Sequence, residues 1–372
     1  MKDTIVGYRN KAIHGAYTHI LKPYFFRQDP EDVHDQMTRV GRELGTYTAG
    51  KFITETLFGY ENEMLRQTVF GIDFKNPIGL AAGFDKNAEM TDIMPSVGFG
   101  FAEVGSVTGY PCAGNPRPRL WRLPKSESLV VWYGLKNDGC EIIAERLSKK
   151  HFLIPIGVSV AMTNCAANVN PRLAVMDFRK AFATMEPVAN YITVNISCPN
   201  AKGGQPFLAP HRLDYLLDII DEVKTSKPIF VKISPDLSDE KIFALLDVLH
   251  NHRVHGIICS NLTKNRHNSA IIDPEIPKFG GVSGRAVRDI SDQMLATIRH
   301  REGDRYVLVG VGGVFSAEDA YRKIRLGASL VQMISGMIFE GPQVISEINR
   351  GLVQLLKRDG FTNISQAVGA DV

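Results

Sequence analysis

The chain is expected to fold as a closed (β/α)8 barrel preceded by a small helical extension. From residue 76 onward, short apolar runs alternate with amphipathic stretches, and polar or glycine-rich clusters stand at the carboxyl ends of the runs. Eight runs are legible, at 77–81, 101–106, 155–160, 191–196, 229–233, 256–260, 306–311 and 330–334. An open doubly wound sheet is the competitor, but one uninterrupted repeat of eight favours closure into the TIM-barrel architecture. Helical stretches lie between the runs. Segment 214–223 carries Leu216, Leu217, Ile219 and Ile220 at the spacing of a buried face, and 242–249 does the same.

Ahead of the barrel, Ile13, Ala16, Tyr17, Ile20 and Leu21 make an apolar helical stripe that is expected to end at Pro23. Asp29 then caps a second helix, with Pro30 in its first turn and Val33, Met37, Val40 and Leu44 along one face. This divides the chain into an extension, 1–66, and a barrel, 67–372. The two helices suit either an ordinary packed hairpin or a tunnel resting on a bilayer surface.

A formal charge of +3 over 372 residues indicates no broad polyanion-binding surface, so nucleic acid is not an expected partner. The cysteines at 112, 140, 165, 198 and 259 form no CxxC pair and no metal-site spacing, so no metal is expected and a reducing compartment fits. No signal-type core and no bilayer-length apolar run is present. The expected location is the cytoplasm, with peripheral contact at the inner face of a membrane.

In a β/α barrel the loops at the carboxyl ends of the strands converge on one mouth. Lys86 follows the first run, Asn195 and Cys198 the fourth, Lys232 ends the fifth and Asn261 follows the sixth. The segment 195–200 (NISCPN) sets amides on either side of one sulfur and is stiffened by Pro199, which reads as a catalytic loop. A buried, inert cysteine is the plain alternative. After the last two runs come GVGG at 310–313 and Ser335-Gly336, whose backbone amides can cradle a phosphate. One phosphate, two strand-end lysines and many amides point to FMN. Lys232 is then placed to stabilise charge at the flavin's pyrimidine edge, or else simply snorkels at a strand end.

These blocks, with NPIGLAAGFDKN at 76–87, GNPRPRL at 114–120, VKISPDL at 231–237 and GGVSGR at 280–285, make the chain resemble the dihydroorotate dehydrogenases over nearly its whole length. The resemblance is closest to the membrane-associated, quinone-using class. It implies a ping-pong oxidation of dihydroorotate to orotate in de novo pyrimidine biosynthesis, with a proton lost to a base, a hydride lost to FMN, and a second substrate reoxidising the flavin. By position Cys198 is the base, and Lys86, Asn195, Asn200, Asn261, Gly134 and Leu135 hold substrate. Ala82, Gly83, Lys86, Ser106, Ser159, Asn195, Lys232, Ser260, Gly284, Gly313, Ser335 and Gly336 fall where the family holds FMN. Arg122 matches the arginine of the quinone tunnel. Lys86 is the expected neighbour that tunes the thiol, whose ordinary pKa is about 8.5.

The chain departs from the family at several positions. Quinone-class members carry serine as base where this chain has Cys198. Val131 stands at a substrate-binding asparagine, Leu262 replaces the threonine of an Asn-Thr pair, Ser159 replaces a flavin-side asparagine and Ile334 an aromatic hydroxyl. Losing the polar groups at 131 and 262 should cost an orotate-like ligand about 1–3 kcal/mol each unless Lys136 or Asn137 compensates. An FMN dehydrogenase or reductase for a different dihydro-heterocycle or enone is therefore the alternative. An FMN binder without turnover does not need a base and a cation, and a phosphate-binding barrel lyase leaves Lys232 unexplained.

Overall fold

The structure, a computed structural model, describes residues 2–372. Its barrel strands are β1 (Ile78–Leu80), β2 (Phe101–Thr108), β3 (Ile156–Ala161), β4 (Tyr191–Asn195), β5 (Ile229–Lys232), β6 (Gly256–Cys259), β7 (Val307–Val311) and β8 (Ala328–Met333). They pair in parallel around a closed cylinder in the order β6-β7-β8-β1-β2-β3-β4-β5. Each matches an expected run to within two residues. The outer helices bury one face on the cylinder. Pro210–Asp221 does so with Leu213, Leu216, Leu217 and Ile220, and starts ahead of the expected boundary because Pro210 suits a first helical turn. Asp239–Leu249 likewise contains the expected 242–249 stretch.

Side-chain alternation along the strands builds the lumen in layers. Phe101, Tyr191, Phe230, Ile258, Val309 and Leu330 form an apolar plug at the amino-terminal end, closed by Phe74 of a hairpin pairing Gln67–Val69 with Ile72–Phe74. Two residues further along three of these strands come Glu103, Thr193 and Gln332, all fully buried. The mouth follows.

Over the mouth lies a three-stranded antiparallel sheet that the periodicity did not announce. Leu120–Leu123 pairs with Ser128–Val131, which pairs in turn with Gly281–Gly284, Val131 standing opposite Gly281. The extension packs beside it as α1 (Lys2–Ala16), a π turn (Tyr17–Leu21), α2 (Lys22–Phe26), α3 (Pro30–Thr46) and α4 (Thr48–Phe58). Two expectations are corrected here. Pro23 does not end the first helix, because the wider π turn before it relieves the clash between its ring and the preceding carbonyls, and the helix continues to Phe26. The extension also contains α4, whose Phe52, Ile53 and Leu57 are exposed. Asp29 caps α3 as expected, accepting from the amides of Glu31 and Asp32 at 2.9 and 3.2 Å. No helix of the described residues is long and apolar enough to cross a membrane.

Candidate active site

A cavity of about 200 Å³ opens at the carboxyl ends of the strands, beneath the three-stranded sheet. Its wall brings together Ala82, Gly83, Lys86, Ser106, Gly134, Leu135, Asn195, Cys198, Asn200, Lys232, Ser260, Asn261, Gly284, Gly313, Ser335 and Gly336. Val131, Leu262 and Ile334 line it as well, so these three family departures face the same space. Two expected residues are not on that wall. Ser159 sits one layer deeper, fully buried, and reaches the site only through its hydroxyl, 2.7 Å from that of Ser106. Arg122 is turned toward the extension. Its Nη1 donates to the Gln28 carbonyl at 2.9 Å, and its guanidinium lies 4.7 Å from the Phe26 ring centre.

The loop after β4 is fixed from below. Ser197 Oγ donates to the Lys232 carbonyl at 2.7 Å and Gln205 Nε2 donates to the Ser197 carbonyl at 2.6 Å, which sets the position of Cys198. Burial pushes the thiol up to about 11. The Asn200 amide, Lys264 and Lys232 act in the opposite direction. Lys86 is not the tuning cation expected from the sequence. Its loop is pinned by buried Asp85, which accepts from the amides of Glu89 and Met90 at 2.8 Å each, and its Nζ lies 3.2 Å from His34 Nε2 and 4.0 Å from the Tyr133 ring centre. Burial brings Lys86 down to about 7, against the pull of Asp35, while His34 is lowered by burial and by Lys86 itself.

Amides and hydroxyls rim one side of the cavity. Asn195 Nδ2 donates to Ser106 Oγ at 2.9 Å, and Asn261 Nδ2 donates to Asn195 Oδ1 at 3.2 Å and to Ser197 Oγ at 3.0 Å. Asn200 Nδ2 donates to the Val131 carbonyl at 2.8 Å. Of the two residues expected to compensate for Val131 and Leu262, Lys136 lines the cavity. Asn137 does not: its side chain donates to Thr108 Oγ1 and the Leu135 carbonyl at 2.8 Å each, inside the loop. On the other side lie Gly312, Gly313, Ser335 and Gly336, with the hydroxyls of Ser283 and Ser335 3.0 Å apart. Gly313 has φ +67°, and a side chain there would come within 2.3 Å of Arg288 Cβ, so the turn is open to glycine alone. A side chain at Gly83 would meet only Ile334 Cδ1, at 3.9 Å, and would project into the cavity.

His34, Tyr133 and Ser283 also line the cavity and were not found from the sequence. His34 belongs to α3 of the extension, and rules about strand ends give no signal there. Ser283 lies in the block 280–285, so its motif was legible but its place on the wall was not.

The fold and this cavity define a β/α-barrel enzyme with a thiol, buried Lys232, half-buried Lys86 and an amide rim converging at the mouth. The family profile described as dihydroorotate dehydrogenase matches residues 64–356. The chain is 38% identical over 353 residues to the dihydroorotate dehydrogenase (quinone) of Natronomonas pharaonis, covering 95% of this chain and 99% of that protein. It is 38% identical over 359 residues to that of Nocardia farcinica, covering 95% and 96%. The crystal structure of DHODH in complex with ferulenol from Eimeria tenella superposes with a TM-score of 0.82 at 28% identity, over 92% of this chain and 96% of that one. The chain belongs to the dihydroorotate dehydrogenase family, flavoenzymes that oxidise a CH–CH bond. This membership favours dihydroorotate chemistry over the alternative heterocycle or enone.

Proposed function

We propose that the chain is an FMN-dependent dihydroorotate dehydrogenase that passes its electrons to a quinone. The observation that carries this reading is the placement of Cys198, Lys232 and the Gly312–Gly313 and Ser335–Gly336 turns around one cavity. The wall fits a flavin mononucleotide: glycine amides for a phosphate on one side, an amide and hydroxyl rim with a buried cation on the other, and open space above Gly83 between them. When bound, FMN supplies the hydride acceptor.

In this reading Gly313, Ser335 and Gly336 hold the phosphate, with Gly284 beside them. Ala82, Gly83, Ser106, Asn195 and Ser260 would hold the ring system, and Lys232 would supply a cation there. Ser159 acts through Ser106. Asn200, Asn261, Gly134, Leu135 and Lys86 orient the substrate. Cys198 removes its proton, and the sheet over the mouth excludes water. Cys198 acts as a base only as the thiolate, which Lys264 and Lys232 favour against burial. The acceptor would approach from the extension, where Phe26, Leu120, Leu129, Phe315, Phe339 and Ile338 form an apolar cluster next to the cavity and Arg122 stands beside it. Residues 1–66 form an accessory unit in this reading. Exposed Ile5, Tyr8, Ile20, Tyr24 and Phe52 would give it a face for the inner surface of a membrane.

Purified protein is expected to be yellow and to release FMN on denaturation, and to couple dihydroorotate oxidation to reduction of a soluble quinone. Colourless protein that cannot be reconstituted with FMN, or flavin-loaded protein inert toward dihydroorotate, would contradict this reading.

A further inference from the structure

Five side chains from four different strands meet inside the cylinder. Glu103 extends from β2, Thr193 and Tyr191 from β4, Gln332 from β8, and Lys232 closes the layer from β5. None of β4, β5 and β8 is adjacent to β2, so these contacts cross the lumen. Thr193 Oγ1 and Gln332 Nε2 donate to Glu103 Oε2 at 3.0 and 3.1 Å. Glu103 Oε1, the Tyr191 hydroxyl and Gln332 Oε1 are buried without hydrogen-bond partners. Such a carboxylate is costly unless a cation faces it. Lys232, two residues past Phe230 as Glu103 is past Phe101, is the cation that acts on Glu103 through space without a direct ion pair, while burial pushes Glu103 itself toward its neutral form; the charged groups acting on Lys232 are Glu103 and Cys198.

We propose that Glu103 is a positioning residue that acts through Lys232: its carboxylate keeps the buried lysine protonated in the resting enzyme, so that a cation already stands at the flavin edge when the hydride arrives. Burial alone drives Lys232 toward its neutral form, and Glu103 is the first of the groups that oppose this. With the pair intact, reduction of the flavin draws no proton into this layer. Without the carboxylate, Lys232 rests neutral and takes one proton from solvent as the flavin gains negative charge. The inference rests on the reading of Lys232 as a flavin partner.

The test is the pH dependence of the midpoint potential of the bound flavin, in the native holoenzyme and in Glu103→Gln. The native protein is expected to take up about one proton per electron pair near neutral pH and the variant about two, with a lower potential. An unchanged slope and potential in a variant that keeps its flavin overturn the inference while leaving the function intact. Native protein that binds no flavin overturns the underlying reading instead. If Glu103→Gln fails to fold, thermal unfolding of the double variant Glu103→Gln/Lys232→Gln decides. Recovery of folding means the single variant failed by stranding an unpaired lysine, as proposed. Failure of both means Glu103 serves packing alone.

Discussion

The two ends of the barrel are made by the same eight strands and have opposite chemistry. At the amino-terminal end, Phe101, Tyr191 and Phe230 interlock with Phe74. The Phe74 and Phe101 ring centres are 5.4 Å apart and nearly perpendicular. At the carboxyl end the same strands or the turns that follow them deliver Ser106, Asn195 and Lys232. One step of two residues takes β4 from Tyr191 to Thr193 and another to Asn195. The first position packs in the plug and the last opens onto the cavity. The dry end holds the cylinder rigid, and the wet end can then carry buried lysines and a thiol out of their ordinary pKa ranges.

That contrast can be tested at either end. The largest effect is expected from Cys198→Ala, which should slow substrate-driven flavin bleaching by about 10²–10⁴-fold while leaving reduction by dithionite intact. Bleaching at the native rate would place the base elsewhere. At the opposite end, Phe101→Ala should cost about 3–5 kcal/mol of stability by opening a cavity in the plug, with the bleaching rate per folded molecule little changed; chemical denaturation and stopped-flow measurements separate the two. Restoring polarity in the cavity by Val131→Asn should tighten orotate binding by about 1–3 kcal/mol, read by titration of the flavin spectrum. No gain would mean that Lys136 already supplies the missing contact. The bleaching rate should also rise with pH. Burial holds the Cys198 thiol at about 11, so below that value the thiolate fraction, and the rate with it, falls about tenfold per unit. A rate that levels off near pH 8 would mean that bound substrate lowers the thiol. The smallest effect is expected from Ser159→Ala, which removes one hydroxyl behind Ser106 and should weaken flavin retention by about 1 kcal/mol.

The strands were legible because each is a short apolar run bounded by polar residues, and a register error of one residue would have turned Glu103 or Asn195 out of the lumen. Strand ends give Lys86, Asn195, Cys198, Lys232 and Asn261 a common address in the sequence alone. What stayed hidden depends on contacts between distant segments. Ser128–Val131 pairs with Gly281–Gly284 across roughly half the barrel sequence, and strands of four residues leave little periodicity to read. His34 reaches the cavity from α3, where it meets Lys86. Ser159 is placed at the flavin by the family resemblance alone, which carries no information about its depth within the lumen. Glu103 is one acidic residue in an apolar run, and only the closed cylinder brings it into one layer with Lys232.

Anaerobic mixing of the native flavin-loaded protein with dihydroorotate tests the central claim most directly, namely that the thiol of Cys198 and the flavin face one another across a single cavity. The account predicts loss of the yellow absorbance in one turnover, suppressed in Cys198→Ala. Flavin that stays oxidised under dihydroorotate yet is bleached by dithionite would contradict it.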